Sequence, residues 1–272
     1  MSQNLRILVF GAHPDDCELK CGGSGARWAD RGYSVRFVSV TDGRSGHHEV
    51  GGVEMAERRR NEAAGAAAVL GVESEVLSFH DGYLEPTLAL RREILRVERE
   101  FQPDLVITHR PNDYHPDHRY TSLGVQDAAY MVAVPHVFPE FPATRKNPAI
   151  FYMSDGFMKP YPFSPDAFVA IDPVFERKVD AAHCHVSQMF EWLPYMAGEL
   201  DAVPDGEVER HAWLKAKLET RDSRTAERFR ETVDAVHGEA TRYVEAFEWC
   251  EYGGSLSDEA FEAIFGHPPS GG

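Results

Sequence analysis

Cysteine is scarce in this 272-residue chain: the four, at 17, 21, 184 and 250, are too few and too scattered for a disulfide framework, so free thiols in a reducing compartment are expected. Positive charge is in short supply too. With 28 basic against 44 acidic residues the formal net charge is -16, which repels phosphate backbones and anionic membrane surfaces and argues against a nucleic-acid or membrane partner. No apolar stretch approaches the length of a bilayer span. The apolar run near the N-terminus is too short for the core of a signal peptide, and no small-residue cleavage site follows it, so a cytoplasmic location is expected. Internal repeats and extended low-complexity segments are missing. No G-x-G-x-x-G follows the first strand-like run, and GAHPDD puts bulk and negative charge where a pyrophosphate would sit, which excludes a dinucleotide site there.

What is present is an alternation of strand-like and helical patterns, as in a parallel sheet with crossover helices. Leu5 to Phe10, Val35 to Val40, Glu75 to Phe79 and Leu105 to Thr108 read as strands, with two more at Ile150 to Met153 and Phe168 to Ile171. Gly22 to Arg31, Glu54 to Leu70 (stopped by Gly71) and Leu88 to Phe101 (ending before Pro103) read as helices. From Pro173 onward the pattern is mainly helical, with Glu207 to Glu248 read as an amphipathic helix pair and a Gly/Pro/Ser tail closing the chain. The expected fold class is α/β, a Rossmann-like, mostly parallel sheet with flanking helices and a helical C-terminal part. One domain over residues 1–272 is expected, divided into a core (1–172), a mainly helical part (173–250) and a tail (251–272).

The chemistry concentrates in two loops. GAHPDDCELKCGG (Gly11 to Gly23) follows the first strand, and HRPNDYHPDHR (His109 to Arg119) follows the fourth, so right-handed crossovers bring both to the carboxyl edge of the sheet, where open α/β sheets bind ligands. His13 and Asp16 share a three-residue spacing with His115 and His118. Two imidazoles and one carboxylate with open positions form a catalytic-type zinc set, which selects His13, Asp16 and His118 as ligands. A metal-bound water needs a base, a role for the adjacent Asp15. The oxyanion of an amide or ester hydrolysis needs a donor, a role for His115, oriented by Asp113 or Asp117.

These motifs also carry a resemblance. AHPDDCE with CGG, TDG after the second strand and HPDH after the fourth resemble the PIG-L/LmbE-like family of metal-dependent N-acetylglucosaminyl deacetylases, and KVDAAHCHVSQ (Lys178 to Gln188) resembles a segment of its bacillithiol-pathway branch. The resemblance implies a zinc-dependent deacetylase acting on an N-acetylglucosamine-type amide. It puts ligands on His13, Asp16 and His118, the base on Asp15 and the oxyanion histidine on His115, with Asp117 beside them. It also implies substrate contacts at Arg59 (in R-x-x-E with Glu62), at Asp81 on the rim and at Tyr114. A small amino-sugar substrate and a symmetric homo-oligomer follow as expectations. Here Cys17 intervenes before Glu18, where many members place glutamate directly after the two aspartates.

Other features read more plainly: Cys17 and Cys21 as small packing residues, His47 and His48 as a solvated loop, and His183, His185 and Gln188 as parts of a core-packing helix. The same ligand set suits Fe2+ or another divalent metal, so a non-haem Fe(II) oxygenase is the enzymatic alternative and a non-catalytic metal-binding protein the other.

Overall fold

The computed structural model describes residues 4–269. Its centre is a seven-stranded sheet in the order β3-β2-β1-β4-β5-β7-β6. The strands are β1 (Arg6–Gly11), β2 (Ser34–Thr41), β3 (Glu73–Phe79), β4 (Leu105–Thr108), β5 (Ala149–Met153), β6 (Ala167–Ala170) and β7 (Val244–Cys250). The first five are parallel, and β7 runs antiparallel to both β5 and β6. The helices are α1 (Asp16–Asp30), α2 (Gly52–Leu70), α3 (Leu88–Phe101), α4 (Pro116–Ala128), α5 (Phe175–His183), α6 (Leu193–Ala197), α7 (Glu207–Arg228), α8 (Arg230–His237) and α9 (Asp258–Phe265). Among the described residues no helix is long and apolar enough to cross a membrane.

Burial on both faces explains the unbroken apolar runs of the inner strands. Ile7 and Val9 of β1 face one core with Leu105 and Ile107 of β4, while Leu8 and Phe10 face the opposite core with Val106. The chain moves outward from β1 through β2 to β3, then returns to β4 on the other side of β1. That reversal of strand order opens a crevice beyond the carboxyl ends of β1 and β4. The pairing of Val9 with Ile107 brings the two strand ends, and the loops that follow them, together.

Three sequence expectations need correction. Helix α1 begins at Asp16 rather than near Gly22, since Asp16 and Glu18 occupy its first turn, where the helix dipole favours carboxylates. Its glycines are a contact face instead of a start signal: a Cβ on Gly23 would lie 2.6 Å from Ile171, and one on Gly25 would lie 2.6 Å from Phe37. We expect Gly23→Val to destabilise the fold by about 1–3 kcal/mol through overpacking, measured by urea denaturation; unchanged stability would mean α1 is not held by this contact. Second, the stretch read as a helix pair through Glu248 ends in strand β7, inserted between β5 and β6. Its buried Glu245 is accommodated by Lys178 Nζ at 2.6 Å and by the Gly23 and Ser24 N–H groups at 3.0 and 2.7 Å. Third, the tail contains α9, capped by the Ser257 side chain, with Phe261 and Phe265 packed on Phe151 of β5.

Candidate metal centre

The turn after β1 places His13, Pro14 and Asp15 before the first residue of α1, Asp16, whose Oδ2 accepts from the His13 N–H at 2.8 Å. Asp15 stands at the N-cap position but its carboxylate makes no capping bond, and its backbone (φ 155, ψ -23) lies outside the helical and extended regions. Across the crevice, HPDH opens α4: His115 is the N-cap, accepting the Asp117 N–H at Nδ1 (3.2 Å), and Pro116 takes the first helical position, where no N–H is needed.

Several histidines and carboxylates converge here, and their outer partners sort them. His13 Nε2 lies 3.2 Å from Asp81 Oδ1 and 3.3 Å from Asp117 Oδ2, so its proton sits on Nε2 and Nδ1 is left with a lone pair. His118 Nδ1 faces Asp113 Oδ1 at 3.1 Å, leaving Nε2 free. His109 points at the same place, 3.3 Å from Asp16 Oδ2, but its Nε2 lone pair accepts the Ala12 N–H at 3.0 Å. His115 Nδ1 is likewise taken, so its Nε2 carries the proton and acts as a donor. What remains is His13 Nδ1, Asp16 and His118 Nε2. Their separations are 3.4 Å (His13 to Asp16), 3.3 Å (His13 to His118) and 3.5 Å (His118 to Asp16). Metal–ligand bonds of 2.0–2.1 Å at tetrahedral angles require donor spacings of about 3.3 Å. The two Asp16 distances are to different oxygens, Oδ2 from His13 and Oδ1 from His118, and all three spacings are close to that value.

Charge follows the same order. Before a cation enters, burial acts against the charged form of His13, yet the bonds to Asp117 and Asp81 at Nε2 and to Asp16 at Nδ1 outweigh it and hold the second proton well above the usual range, so that a cation must displace it from Nδ1. Burial likewise opposes ionisation of Asp16, and the His118 and His109 rings reverse this, keeping it well below the ordinary carboxylate value. Asp81, buried but bonded to His13, is held down at about 2. His109 is pushed down to about 4 by burial and by the adjacent His118, which leaves it neutral. Asp15 moves the other way: burial raises it, and Arg59 only partly offsets the shift.

The structure departs from the sequence reading around these residues. Neither Asp113 nor Asp117 orients the His115 ring through its carboxylate; a backbone N–H does so, because Asp113 faces His118 and Asp117 faces His13. Asp117 also accepts from Gly82 N (2.7 Å) and Leu84 N (3.3 Å), tying the HDG loop after β3 to α4. Such outer-shell carboxylates typically tune metal affinity, and Asp117→Ala is expected to weaken it by about 10–100-fold, read by metal competition against a chelating dye; parental affinity would remove Asp117 from this role. Asp81 is not on the rim: it is 5% exposed and bonded to His13 and the Ser45 N–H. Arg59 lines the cleft but is 2% exposed, with one guanidinium nitrogen 2.7 Å from Pro14 O and 3.1 Å from Asp15 Oδ1. The loop after β2 wraps it closely, since Gly43 has φ +70 and a Cβ there would lie 2.7 Å from Arg59 Cδ. Tyr114, 72% exposed, stands at the mouth with its ring edge-on to His115 and His118.

The open cleft above these atoms measures about 280 Å3 and is closed on its far side by Gln188, Trp192 and Leu193. Gln188, expected as part of a core-packing helix, is buried and also lines the cleft, and Trp192 was not singled out. Both lie on a π-helical turn, Ser187–Trp192, whose wider spacing a 3.6-residue periodicity does not reveal. His47 and His48 are not a solvated loop either: His47 Nε2 contacts Glu191 at 2.9 Å and His48 stacks on Tyr195 with centroids 4.1 Å apart. His109 also escaped singling out, although its place directly after β4 mirrors that of the loop after β1. Cys17 is buried with its thiol pushed up by burial, Cys21 likewise, and neither joins a metal-ligating group among the described residues.

The family described as GlcNAc-PI de-N-acetylase (PIG-L) matches residues 8–129, which include both histidine- and carboxylate-rich loops. The diacetylchitobiose deacetylase of Thermococcus kodakarensis is 33% identical over 202 residues, covering 70% of this chain and 74% of that protein. The solved N,N'-diacetylchitobiose deacetylase from Pyrococcus horikoshii aligns with a TM-score of 0.69 at 25% identity, over 90% of this chain and 84% of that one. A 4-carboxy-2-hydroxymuconate hydratase from Pseudomonas putida aligns with a TM-score of 0.72 over 93% of this chain and 100% of its own, but at 20% identity it shows the fold alone. By its relatives and the matched segment, the chain belongs to the PIG-L family of deacetylases.

Proposed function

We propose that this protein is a zinc-dependent deacetylase that hydrolyses the acetamide of an N-acetylglucosamine-type substrate, releasing acetate and a free amine. The carrying observation is the spacing of His13 Nδ1, Asp16 and His118 Nε2 at 3.3–3.5 Å, with an uncapped carboxylate, Asp15, on one side and an N–H donor, His115, on the other. A zinc ion held there would supply Lewis acidity, lowering the pKa of a water and polarising the amide carbonyl.

The chain's own groups carry the proton traffic. Asp15 takes the proton of the attacking water, and its upward shift brings it nearer the pH at which a base both accepts and returns a proton. His115 donates from Nε2 to the oxygen that gains charge as the carbonyl becomes tetrahedral. It does so as a neutral imidazole, because burial and the nearby His13 push its pKa below the usual histidine value. Asp15 then delivers its proton to the departing nitrogen, so that water has added across the C–N bond. Gln188 and Tyr114 offer hydrogen bonds and Trp192 an apolar wall for the sugar.

Arg59 stabilises the ionised form of Asp15, so its removal raises the Asp15 pKa further. The base works when deprotonated. In Arg59→Gln the acid limb of the kcat/KM profile should therefore move to higher pH; an unmoved limb would separate Arg59 from Asp15. A panel of N-acetylglucosamine conjugates, assayed for primary amine, tests the reaction itself. Product from the panel supports the deacetylase, whereas no product combined with Fe(II)-dependent oxygen consumption would favour the oxygenase that the same ligand set permits.

A further inference from the structure

A second cavity, of about 300 Å3, opens on the other side of Leu19, a residue that also lines the metal cleft. Its walls come from α1, the loop after β5, α5, α7 and β7, and they carry five basic side chains against three acidic ones, the reverse of the chain as a whole. The acids are already engaged: Asp155 with Arg110, Asp222 with Lys178 and Arg221, and Glu245 with Lys178. Three cations are left without a carboxylate. Lys20 Nζ donates to Ser154 O at 2.9 Å, Arg228 reaches the Asp155 and Phe163 carbonyls at 3.2 and 3.5 Å, and Arg224 makes no ion pair among the described residues. Three other α7 cations, Lys215, Lys217 and Arg221, each pair with an acid, whereas Arg210 donates to the Pro204 carbonyl. Burial and the neighbouring Arg221 push the Lys20 ammonium below its ordinary value, more than the carboxylates of Asp16, Asp155 and Asp113 raise it.

We propose that this cavity binds an oxyanion, a phosphate or carboxylate group, through Lys20, Arg224 and Arg228. Guanidinium forks match such groups, and on a protein so acidic a three-cation pocket is the place where an anion meets attraction. The chemistry is the same whether the oxyanion is free or a substituent of the amino sugar that reaches across the Leu19 wall. Binding of the free ion stands independently of the deacetylase reading; the substituent form rests on it.

Inorganic phosphate titrated calorimetrically into the metal-loaded protein tests this, alongside His118→Ala, which removes phosphate binding at the metal, and the pair Arg224→Ala/Arg228→Ala. The parent and His118→Ala should bind phosphate with equal affinity, and the double arginine variant about tenfold or more weakly. Arg224→Ala alone, at an exposed position with no ion pair to lose, should move in the same direction if the double variant folds poorly. No binding to the parent, or binding that follows His118 and ignores the arginines, overturns the site. A second arm compares kcat/KM for uncharged N-acetylglucosaminides and for ones carrying a phosphate or carboxylate. A preference for the charged substrate that vanishes in the arginine variant, with uncharged turnover unchanged, assigns the oxyanion to the substrate; phosphate binding without such a preference assigns it to a free ion. Phosphate binding with no turnover of either substrate keeps the cavity and sinks the deacetylase reading.

Discussion

Asp15→Asn is expected to lower kcat by about a hundred- to ten-thousand-fold, the usual contribution of a general acid-base group, while the protein keeps its full metal content. The substitution preserves shape and removes the group that takes the water's proton and returns one to the nitrogen. It leaves the three proposed ligand atoms untouched, because the Asp15 carboxylate contacts Arg59 and is not among them. Loss of the carboxylate also leaves the buried Arg59 guanidinium with Pro14 O as its remaining oxygen partner here, so some destabilisation accompanies it. Metal content and thermal stability are therefore measured on the same sample as kcat. Near-parental turnover in a metal-replete variant would take Asp15 out of the mechanism.

His118→Ala should behave oppositely, losing metal and activity together. One of three protein donors disappears, and the remaining pair, His13 Nδ1 and Asp16 Oδ2 at 3.4 Å, cannot enclose an ion alone. Since outer-shell changes already cost about 10–100-fold in affinity, removal of a ligand should cost more than about a hundredfold. Elemental analysis after dialysis reads this directly. Full occupancy in His118→Ala would show that the ion, if bound, sits with another of the overlapping groups, such as His13 with Asp81 and Asp117.

The inner half of the fold was legible because its strands are buried on both faces. Leu105 to Thr108 and Leu88 to Phe101 read at their observed bounds, the latter because Pro103 marks its end, and the structure adds a Thr87 cap whose side chain accepts the Leu90 N–H. Strand β7 was hidden by its own charges, since Glu245 and Glu248 break the apolar pattern and only the fold supplies Lys178 and two backbone N–H groups to neutralise Glu245. The candidate site divides in the same way. Residue types in HPDD and HPDH suggest ligands, but nothing local to the sequence tells which carboxylate backs which imidazole. Asp117 lies two positions from His115, yet its carboxylate meets His13, 104 positions away. Arg59 and Asp81 line the cleft as expected of substrate contacts, but the sequence does not show that they also bond Asp15 and His13, an outcome fixed by the loops that close over them.

The central claim is a metal-requiring hydrolysis of an N-acetyl group. Its most direct test follows acetate and primary amine together on N-acetylglucosamine conjugates, using protein stripped of metal and the same protein restored with zinc. The account predicts the two products in equal amounts, absent from the stripped protein and regained on restoration. Equal turnover with and without metal, or neither product from restored protein across a broad panel of N-acyl glucosamine conjugates, would contradict it.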